Sequence, residues 1–312
     1  MTVLVTPYVA ADSGSQVADA IRDRCPDIDL VYARDEDAVR DAAPDAEIVV
    51  TSRVPDELLD AAENLRWIQA LSAGVDFIDT DALRARNVAL TNVSGIHAKP
   101  IGQQVLGYLL YFSRRFDKAV AQQRRREWER YGGRELGDAT VGIVGVGAIG
   151  SQVADYCDTL GARTLGVKRD PSDAPTVLDH VTTPDELSSV VAESDYLVLA
   201  CPLTDETHHL IDRDALERLP DHAVVVNIAR GPVVDQSALV DALEADDIRG
   251  AALDVFEEEP LPESSSLWER EDVLVTPHMA GTTPHYWERA ADVFVTNLDH
   301  YRAGEPLENR IV

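Results

Sequence analysis

The chain has 312 residues, more than one hydrophobic core usually organises, so two domains are expected. Its 56 acidic and 28 basic residues give a formal net charge of −28, which argues against binding to nucleic acid or to anionic lipid. The three cysteines, Cys25, Cys157 and Cys201, argue against a disulfide framework or a zinc site and fit a reducing cytoplasm.

Short apolar runs alternate with helical stretches over the first hundred residues, which predicts βαβ units and a mostly parallel sheet. The predicted strands are residues 3–6, 29–32, 47–51, 65–70 and 88–92. The predicted helices between them are residues 15–24, 35–42, 55–62 and 80–86. The first predicted strand is too short for a signal peptide, and no apolar run is long enough to cross a bilayer.

A long helical pattern begins near Ile101 and continues into the charged run at residues 124–128. In so acidic a chain, a solvated helix face explains this run better than a nucleic-acid surface. Gly132 and Gly133 end the pattern shortly before the next strand.

The glycine pattern GxGxxG follows, at Gly145, Gly147 and Gly150, between a predicted strand at 141–144 and a predicted helix at 151–160. In such a unit the first glycine permits a tight turn, the second lets a pyrophosphate approach, and the third lets helix and strand pack. The free N–H groups at the helix start suit a phosphate. The pattern predicts a dinucleotide site, with an ordinary tight turn as the alternative.

The second half of the chain repeats the alternation and predicts a larger doubly wound sheet. Its strands are predicted at residues 163–167, 196–200, 223–228, 250–255 and 273–276. Helices are predicted at residues 184–192, 212–218 and 237–245, with a long amphipathic helix at 284–302.

Chemically capable groups follow several of these strands, and the carboxyl ends of parallel strands share one edge of a sheet. Arg230 can pair with a carboxylate and polarise a carbonyl there, although a structural salt bridge would also use it. His278 can give and take a proton, or be merely structural. The glutamates at 257–259 include candidates to orient that imidazole, although composition alone favours a surface acidic run. The expected meeting of Arg230, His278 and these glutamates at one edge of the sheet, rather than any single residue, indicates a functional site.

Six stretches, in this order, resemble the D-isomer-specific 2-hydroxyacid dehydrogenase family across nearly the whole chain. They are LSAGVD at 71–76, VGVGAIG at 144–150, CPLT at 201–204 with Thr207, NIARG at 227–231, DVFEEEP at 254–260 and TPH at 276–278. The resemblance implies that Arg230, Glu259 and His278 are catalytic, which selects Glu259 among the three glutamates. It also implies that the substrate is bound by Arg230 and His278 and by the backbone N–H groups of Ala73, Gly74 and Val75.

The implied fold is α/β, with two doubly wound parallel-sheet domains. Residues 1–98 and 281–312 would form a flavodoxin-like substrate domain, and residues 99–280 a Rossmann NAD(P)-binding domain. The implied activity is hydride transfer between NAD(P)H and a small 2-oxo or 2-hydroxy acid, with His278 as proton donor, in a homodimer. The helix near residues 101–112 would lie at the dimer interface. A non-catalytic, dinucleotide-sensing protein of the corepressor type is the alternative.

Two specific members of the family are disfavoured. Phosphoglycerate dehydrogenase would need a regulatory domain after residue 312, and formate chemistry would need no proton donor. The pocket for the substrate side chain is expected near Val9, Ser52, Ser72 and Trp287. Gln103 stands where relatives often have an acidic residue, which leaves the details of the hinge helix open.

Cofactor choice is predicted from the end of the strand at 163–167, where NAD-binding relatives place an acidic residue. Here Lys168 and Arg169 come first, which suits a 2′-phosphate and favours NADP(H) over NAD(H). In the alternative, Asp170 takes the acidic role. The expected cofactor contacts are Gly145, Gly147, Ala148, Ile149, Gly150, Lys168, Arg169, Cys201, Pro202, Thr207, Ile228, Ala229, Asp254, His278 and Ala280.

Two further features concern metals and salt. His208 and His209 are adjacent and lack a partner motif, so they are interpreted as surface residues and no metal is predicted. Lys99, Lys118 and Lys168 are the only lysines, and such an acidic, lysine-poor surface resembles the proteins of salt-accumulating archaea. We therefore expect a halophilic archaeal protein that loses structure or activity at low salt.

Overall fold

Two separate parallel sheets organise the chain. The structure is a computed structural model that describes residues 1–8, 13–75 and 77–312, so Val9 of the expected pocket and Asp76 of the LSAGVD stretch lie outside the described residues. One compact unit consists of Met1–His97 with Thr283–Val312, and the other of Ala98–Thr282. The assignment of the first unit to the substrate and of the second to the cofactor stays a prediction.

The strands and helices alternate through both units. The strands are β1 (Thr2–Val5), β2 (Asp29–Tyr32), β3 (Ala46–Thr51), β4 (Trp67–Ala70), β5 (Ala89–Thr91), β6 (Thr140–Val144), β7 (Arg163–Val167), β8 (His180–Thr182), β9 (Tyr196–Leu199), β10 (Val224–Asn227), β11 (Gly250–Leu253) and β12 (Val273–Val275). The helices are α1 (Ser13–Arg24), α2 (Glu36–Ala42), α3 (Asp56–Ala61), α4 (Thr80–Ala85), α5 (Ala98–Ser113), α6 (Phe116–Arg125), α7 (Ala148–Thr159), α8 (Leu187–Glu193), α9 (Arg213–Leu216), α10 (Gln236–Glu244) and α11 (Tyr286–Ala303).

In the first unit, the described residues form a parallel sheet of order β2-β1-β3-β4-β5, the flavodoxin-like order. Its central strands are buried, and α11 contributes to the core: the ring of Trp67 in β4 stacks on Phe294 of α11 with centroids 5.3 Å apart. A buried polar chain supports this packing, because the Trp67 indole donates to Thr91, whose hydroxyl donates to Gln69.

The second unit, described throughout, contains a parallel sheet of order β12-β11-β10-β9-β6-β7-β8. This is the Rossmann order with one further strand, and the order reverses between β6 and β9. The predicted α/β class with two doubly wound sheets is therefore confirmed. Within the described residues, every helix is too short or too polar to span a membrane.

The structure departs from the sequence prediction in one predicted helix and in one strand that was not predicted. The long helix expected from Ile101 into the run at 124–128 is two helices, α5 and α6, because Arg115 adopts the left-handed conformation with φ of +57°. The N–H of Arg134 donates to the carbonyl oxygen of Ser113 at 2.8 Å, so the returning chain satisfies an acceptor at the end of α5. The edge strand β8 was not predicted, since it has a single apolar residue, Val181, and shows no apolar run.

Candidate active site

The glycine-rich turn after β6 has the geometry that its pattern predicts. Gly145 has φ of +98°, and a Cβ on it would lie 2.5 Å from the backbone nitrogen of Cys201 at the end of β9. A Cβ on Gly150 would overlap the carbonyl oxygen of Gly145. Gly147, in contrast, faces space with no described atom within 4 Å of such a Cβ. The outer two glycines therefore serve the fold, and the middle one leaves an open face.

The open face lies at the start of α7, where a dinucleotide pyrophosphate would fit. Gly147 is the N-cap residue and has no side chain to cap the helix. The first N–H groups of a helix have no partner within the helix, so those of Ala148, Ile149 and Gly150 can bind an anion. The neighbouring loop is held by Thr207, whose hydroxyl donates to the carbonyl of Pro202 at 2.6 Å. The cofactor prediction therefore fits this turn.

At the end of β7, the three charged residues have different surroundings. Lys168 forms an ion pair with Asp173. Asp170 accepts the N–H of Ser172 at 3.0 Å and caps a short 3₁₀ turn, and hydrogen bonds from Ser172 lower the pKa of its carboxyl group. Arg169 is exposed and forms no ion pair with any residue that the structure describes.

His278 and Glu259 form a hydrogen-bonded pair: Nδ1 of the imidazole lies 2.7 Å from Oε2 of the carboxylate. The other carboxylate oxygen of Glu259 accepts the N–H of Phe256 at 3.0 Å, which fixes its direction. With Nδ1 engaged, Nε2 is the ring nitrogen that can meet a ligand. His278 itself has φ of +49°, an unusual conformation for a residue other than glycine.

Arg230 follows β10, and its turn is held by Asn227. The buried Asn227 amide donates to the carbonyl of Arg230 at 3.1 Å and accepts the N–H of Ala229 at 3.0 Å. The Arg230 side chain is exposed and, within the described part of the chain, has no carboxylate partner that would support a structural salt bridge. Sequence reasoning missed Asn227, although it belongs to the NIARG stretch.

A close backbone approach joins the loop after β10 to the loop after β11. A Cβ on Gly231 would overlap the carbonyl group of Phe256, so any larger residue would force the two loops apart. Since Arg230 precedes Gly231 and Glu259 follows Phe256, this contact brings the segments carrying both side chains to one edge. Sequence reasoning missed the role of Gly231.

The adjacent glutamates are distinguished by their partners. Glu257 binds the imidazole of His209 at 2.9 Å and the N–H of Gln236 at 3.2 Å, whereas Glu259 binds His278. Residues 257–259 are therefore more than a solvated acidic run, because two of the three glutamates have specific partners. No group of side chains in the described residues has the arrangement of a metal site.

Asp254, one of the expected cofactor contacts, lies in a buried network of hydrogen bonds. Its side chain is buried, with 2% exposed. Oδ1 accepts the Thr276 hydroxyl at 2.5 Å and the N–H of Met279 at 2.9 Å, and Oδ2 accepts the N–H of Ala280 at 2.9 Å. Both carboxylate oxygens thus hold the turn that contains His278. Thr276 was not predicted to have this role.

The remaining predicted residues fall into two groups. Ile228, Ala229 and Cys201 are buried at the strand ends of the second unit. In the first unit, the carbonyls of Ala73 and Gly74 accept hydrogen bonds from Asn92 and Ser72, while their N–H groups bind no described residue. Those N–H groups, with that of Val75, remain the predicted donors to a substrate carboxylate.

Comparisons with known proteins identify the family of this chain. A family model described as D-isomer specific 2-hydroxyacid dehydrogenase, NAD binding domain, matches residues 106–280. Glyoxylate reductase of Thermofilum pendens is 34% identical over 264 residues, covering 82% of this chain and 78% of that one. Glyoxylate/hydroxypyruvate reductase HPR3 of Arabidopsis thaliana is 33% identical over 266 residues, covering 83% and 80%.

A solved structure extends the similarity to the whole fold. It is a D-isomer specific 2-hydroxyacid dehydrogenase from Xanthobacter autotrophicus Py2 in complex with NADPH and MES. Its TM-score is 0.86 at 31% sequence identity, covering 100% of this chain and 98% of that one. These relatives give no support to the non-catalytic corepressor alternative.

Proposed function

The chain belongs to the D-isomer specific 2-hydroxyacid dehydrogenase family, and we propose that it reduces small 2-oxo acids with Arg230, Glu259 and His278 as its catalytic residues. The observation that carries the proposal is the 2.7 Å bond between His278 and Glu259 at the carboxyl edge of the Rossmann sheet. The nicotinamide cofactor, when bound, supplies or accepts the hydride at the substrate carbon.

In the proposed reduction, His278 provides the proton. As the carbonyl carbon gains a hydride, negative charge grows on its oxygen, and the imidazolium transfers the Nε2 proton to that oxygen to complete the hydroxyl group. Glu259 accepts the Nδ1–H bond throughout, so it orients the ring and stabilises its cationic form. After transfer the imidazole is neutral, and a proton from solvent must restore it before the next turnover.

Arg230 is proposed to bind the carbonyl oxygen and the adjacent carboxylate of the substrate. A guanidinium presents two parallel donors that match a carboxylate. Its attraction to the carbonyl oxygen increases as charge develops there, so it stabilises the transition state more than the bound substrate. Its freedom from a described carboxylate partner in the protein supports this role.

NADP(H) is the proposed cofactor. Arg169 is an exposed cation at the end of β7, and Lys168 lies beside it, so positive charge is present where a 2′-phosphate would bind. Asp170 is engaged in capping the turn that follows, which weakens the alternative that it binds the ribose hydroxyls. The relative from Xanthobacter autotrophicus was solved with NADPH.

We further propose a cytoplasmic homodimer adapted to high salt. Exposed apolar residues on and after α6 support a second copy as partner, since Phe116, Val120 and Trp128 are 49%, 37% and 100% exposed. The three free cysteines support a reducing compartment. The net charge of −28 supports halophilic adaptation, because screening by salt reduces the repulsion.

The proposed chemistry is tested by His278→Ala and Arg230→Ala, assayed with glyoxylate, pyruvate and branched 2-oxo acids. Each variant should fold and lose at least about a hundredfold in kcat/KM. His209→Ala is the matched control, because it breaks a similar His–Glu bond, to Glu257, outside the proposed chemistry. Near-normal turnover by His278→Ala would refute the proposal.

A further inference from the structure

A continuous chain of hydrogen bonds connects α5 to the turn that carries His278. The Gln104 amide donates to the Tyr108 hydroxyl at 3.0 Å, and this hydroxyl lies 2.6 Å from that of Thr276. The Thr276 hydroxyl in turn donates to Oδ1 of Asp254. None of the three side chains Gln104, Tyr108 and Thr276 belongs to the proposed chemistry.

The direction of each bond in this chain follows from what the groups can donate. An ionised carboxylate only accepts, so Thr276 must give its single hydroxyl proton to Asp254. The oxygen of Thr276 can then only accept from Tyr108, which must donate its own proton and accept from Gln104. Burial raises the pKa of the Tyr108 hydroxyl, so it keeps the proton that this arrangement needs. The chain therefore has one orientation.

Asp254 transmits this orientation to the backbone of the turn. Its carboxylate accepts the N–H groups of Met279 and Ala280, and its carbonyl oxygen accepts the N–H of His278 at 2.8 Å. The carboxylate is buried and, within the described residues, forms no ion pair, so directional hydrogen bonds alone fix its position. Removing the Thr276 donor would leave Oδ1 with one bond fewer and free the carboxylate to rotate.

The turn needs this restraint because His278 is in the left-handed region, with φ of +49°. For a residue with a Cβ this conformation is unfavourable, so neighbouring contacts must impose it. The direction of the imidazole depends on that backbone conformation. A relaxed turn would move Nε2 away from its position even if the bond to Glu259 survived.

We propose that Tyr108 and Thr276 are positioning residues for the proton donor: they fix Asp254, which fixes the turn and the direction of the His278 imidazole. The inference rests on the proposed role of His278. Through Tyr108, helix α5 would contribute to the reaction. Neither Tyr108 nor Thr276 would touch the substrate, because both act through Asp254. Such positioning residues influence the chemical step more than binding.

The test compares Thr276→Val, which keeps the shape and removes the hydroxyl, with Thr276→Ser, which keeps the hydroxyl. Thr276→Val and Tyr108→Phe should lower kcat between about 10-fold and 100-fold, as small misplacements of a reacting group do. KM for the 2-oxo acid and the dissociation constant for NADPH, measured by fluorescence titration, should change less than about twofold. In Thr276→Val and Tyr108→Phe the solvent isotope effect on kcat should rise, because proton transfer becomes slower. Thr276→Ser should keep the kcat, KM and isotope effect of the parent protein.

Several outcomes would overturn the proposal. Unchanged kcat in Thr276→Val and Tyr108→Phe would show that the chain does not position His278. Equal losses in Thr276→Ser and Thr276→Val would assign the effect to packing rather than to the hydroxyl. Should Thr276→Val fail to fold, Tyr108→Phe decides, because it keeps the ring and removes the hydroxyl group that holds the Thr276 hydroxyl in its direction toward Asp254. Full turnover by His278→Ala would instead refute the proposed function itself.

Discussion

Lys168 is held in an ion pair by Asp173 at the end of β7. The cation most available to a ligand at this strand end is therefore Arg169, which is exposed and unpaired among the described residues. Two adjacent cations in the sequence thus have unequal roles in the structure. Because only Lys168 has an ion-pair partner within the described residues, the contribution of each cation to the cofactor preference can be tested separately.

Arg169→Ser should reduce the preference for NADPH over NADH. A hydrogen bond to a charged group contributes about 1.5–3 kcal/mol, so the ratio of kcat/KM for the two cofactors should fall by about 10-fold to 100-fold. The measurement is a comparison of both cofactors in one assay with parent and variant. If the parent prefers NADH, or if the ratio does not change, the proposed 2′-phosphate contact is wrong.

Asp173→Asn should strengthen NADPH binding, because it frees Lys168 from its partner while removing a negative charge nearby. The dissociation constant for NADPH should fall severalfold, and that for NADH should remain nearly constant. Glu193→Gln is the matched control: it also removes one acidic charge from this unit, but its partner is Arg163 rather than Lys168. An equal effect of both substitutions would assign the gain to net charge alone.

Gly147→Ala and Gly150→Ala should separate binding from folding. Gly147 has φ of −94° and open space around it, so alanine should leave the thermal midpoint unchanged but obstruct the pyrophosphate. Gly150→Ala should lower the free energy of unfolding by about 1–3 kcal/mol, because its Cβ would overlap the backbone of Gly145. Normal dinucleotide affinity in Gly147→Ala would contradict the predicted site.

The buried thiols should resist alkylation in the folded protein. Burial raises the pKa of Cys157 to about 12 and that of Cys201 to about 11. Both thiols therefore stay protonated at neutral pH, and the reactive thiolate form is scarce. Cys25 is only half-buried and should react with iodoacetamide first, as mass spectrometry of the digested protein would show. Labelling in urea supplies the control for all three. Equal native labelling of Cys201 and Cys25 would contradict the placement of Cys201.

Lowering the salt concentration should destabilise the protein. The Debye length increases from about 3 Å at 1 M to about 10 Å at 0.1 M ionic strength, so the repulsion arising from the net charge of −28 is less screened. The thermal midpoint and the activity in KCl should both fall over this range. A midpoint that is equal at both concentrations would argue against halophilic adaptation.

The sheets were predictable because strands of a parallel sheet are buried on both faces and read as apolar runs. The strand Arg163–Val167 has the predicted bounds, and neighbouring strands differ from prediction mainly at their ends. The break between α5 and α6 was not predictable from local pattern, since arginine favours helices and only the packing of the returning chain identifies Arg115 as a turn.

Topology predicted that the segments carrying His278 and the glutamates at 257–259 share one edge of the sheet, and the resemblance to the family selected Glu259 among them. The pairing of Tyr108 with Thr276 was not predictable in this way, since the two positions are 168 residues apart and their contact depends on how α5 packs on the sheet. The left-handed conformation of His278 was equally hidden, because it is imposed by Asp254 rather than by its own propensity.

The stacking of Trp67 on Phe294 has a consequence for how the nascent chain folds on the ribosome. Residues 98–282 are contiguous and can form their sheet as soon as they emerge. The earlier residues 1–97 cannot complete their core until α11 has been synthesised. Residues 1–97 are therefore translated before residues 98–282 but reach their native packing after them, and during that delay a chaperone would encounter an uncovered Trp67.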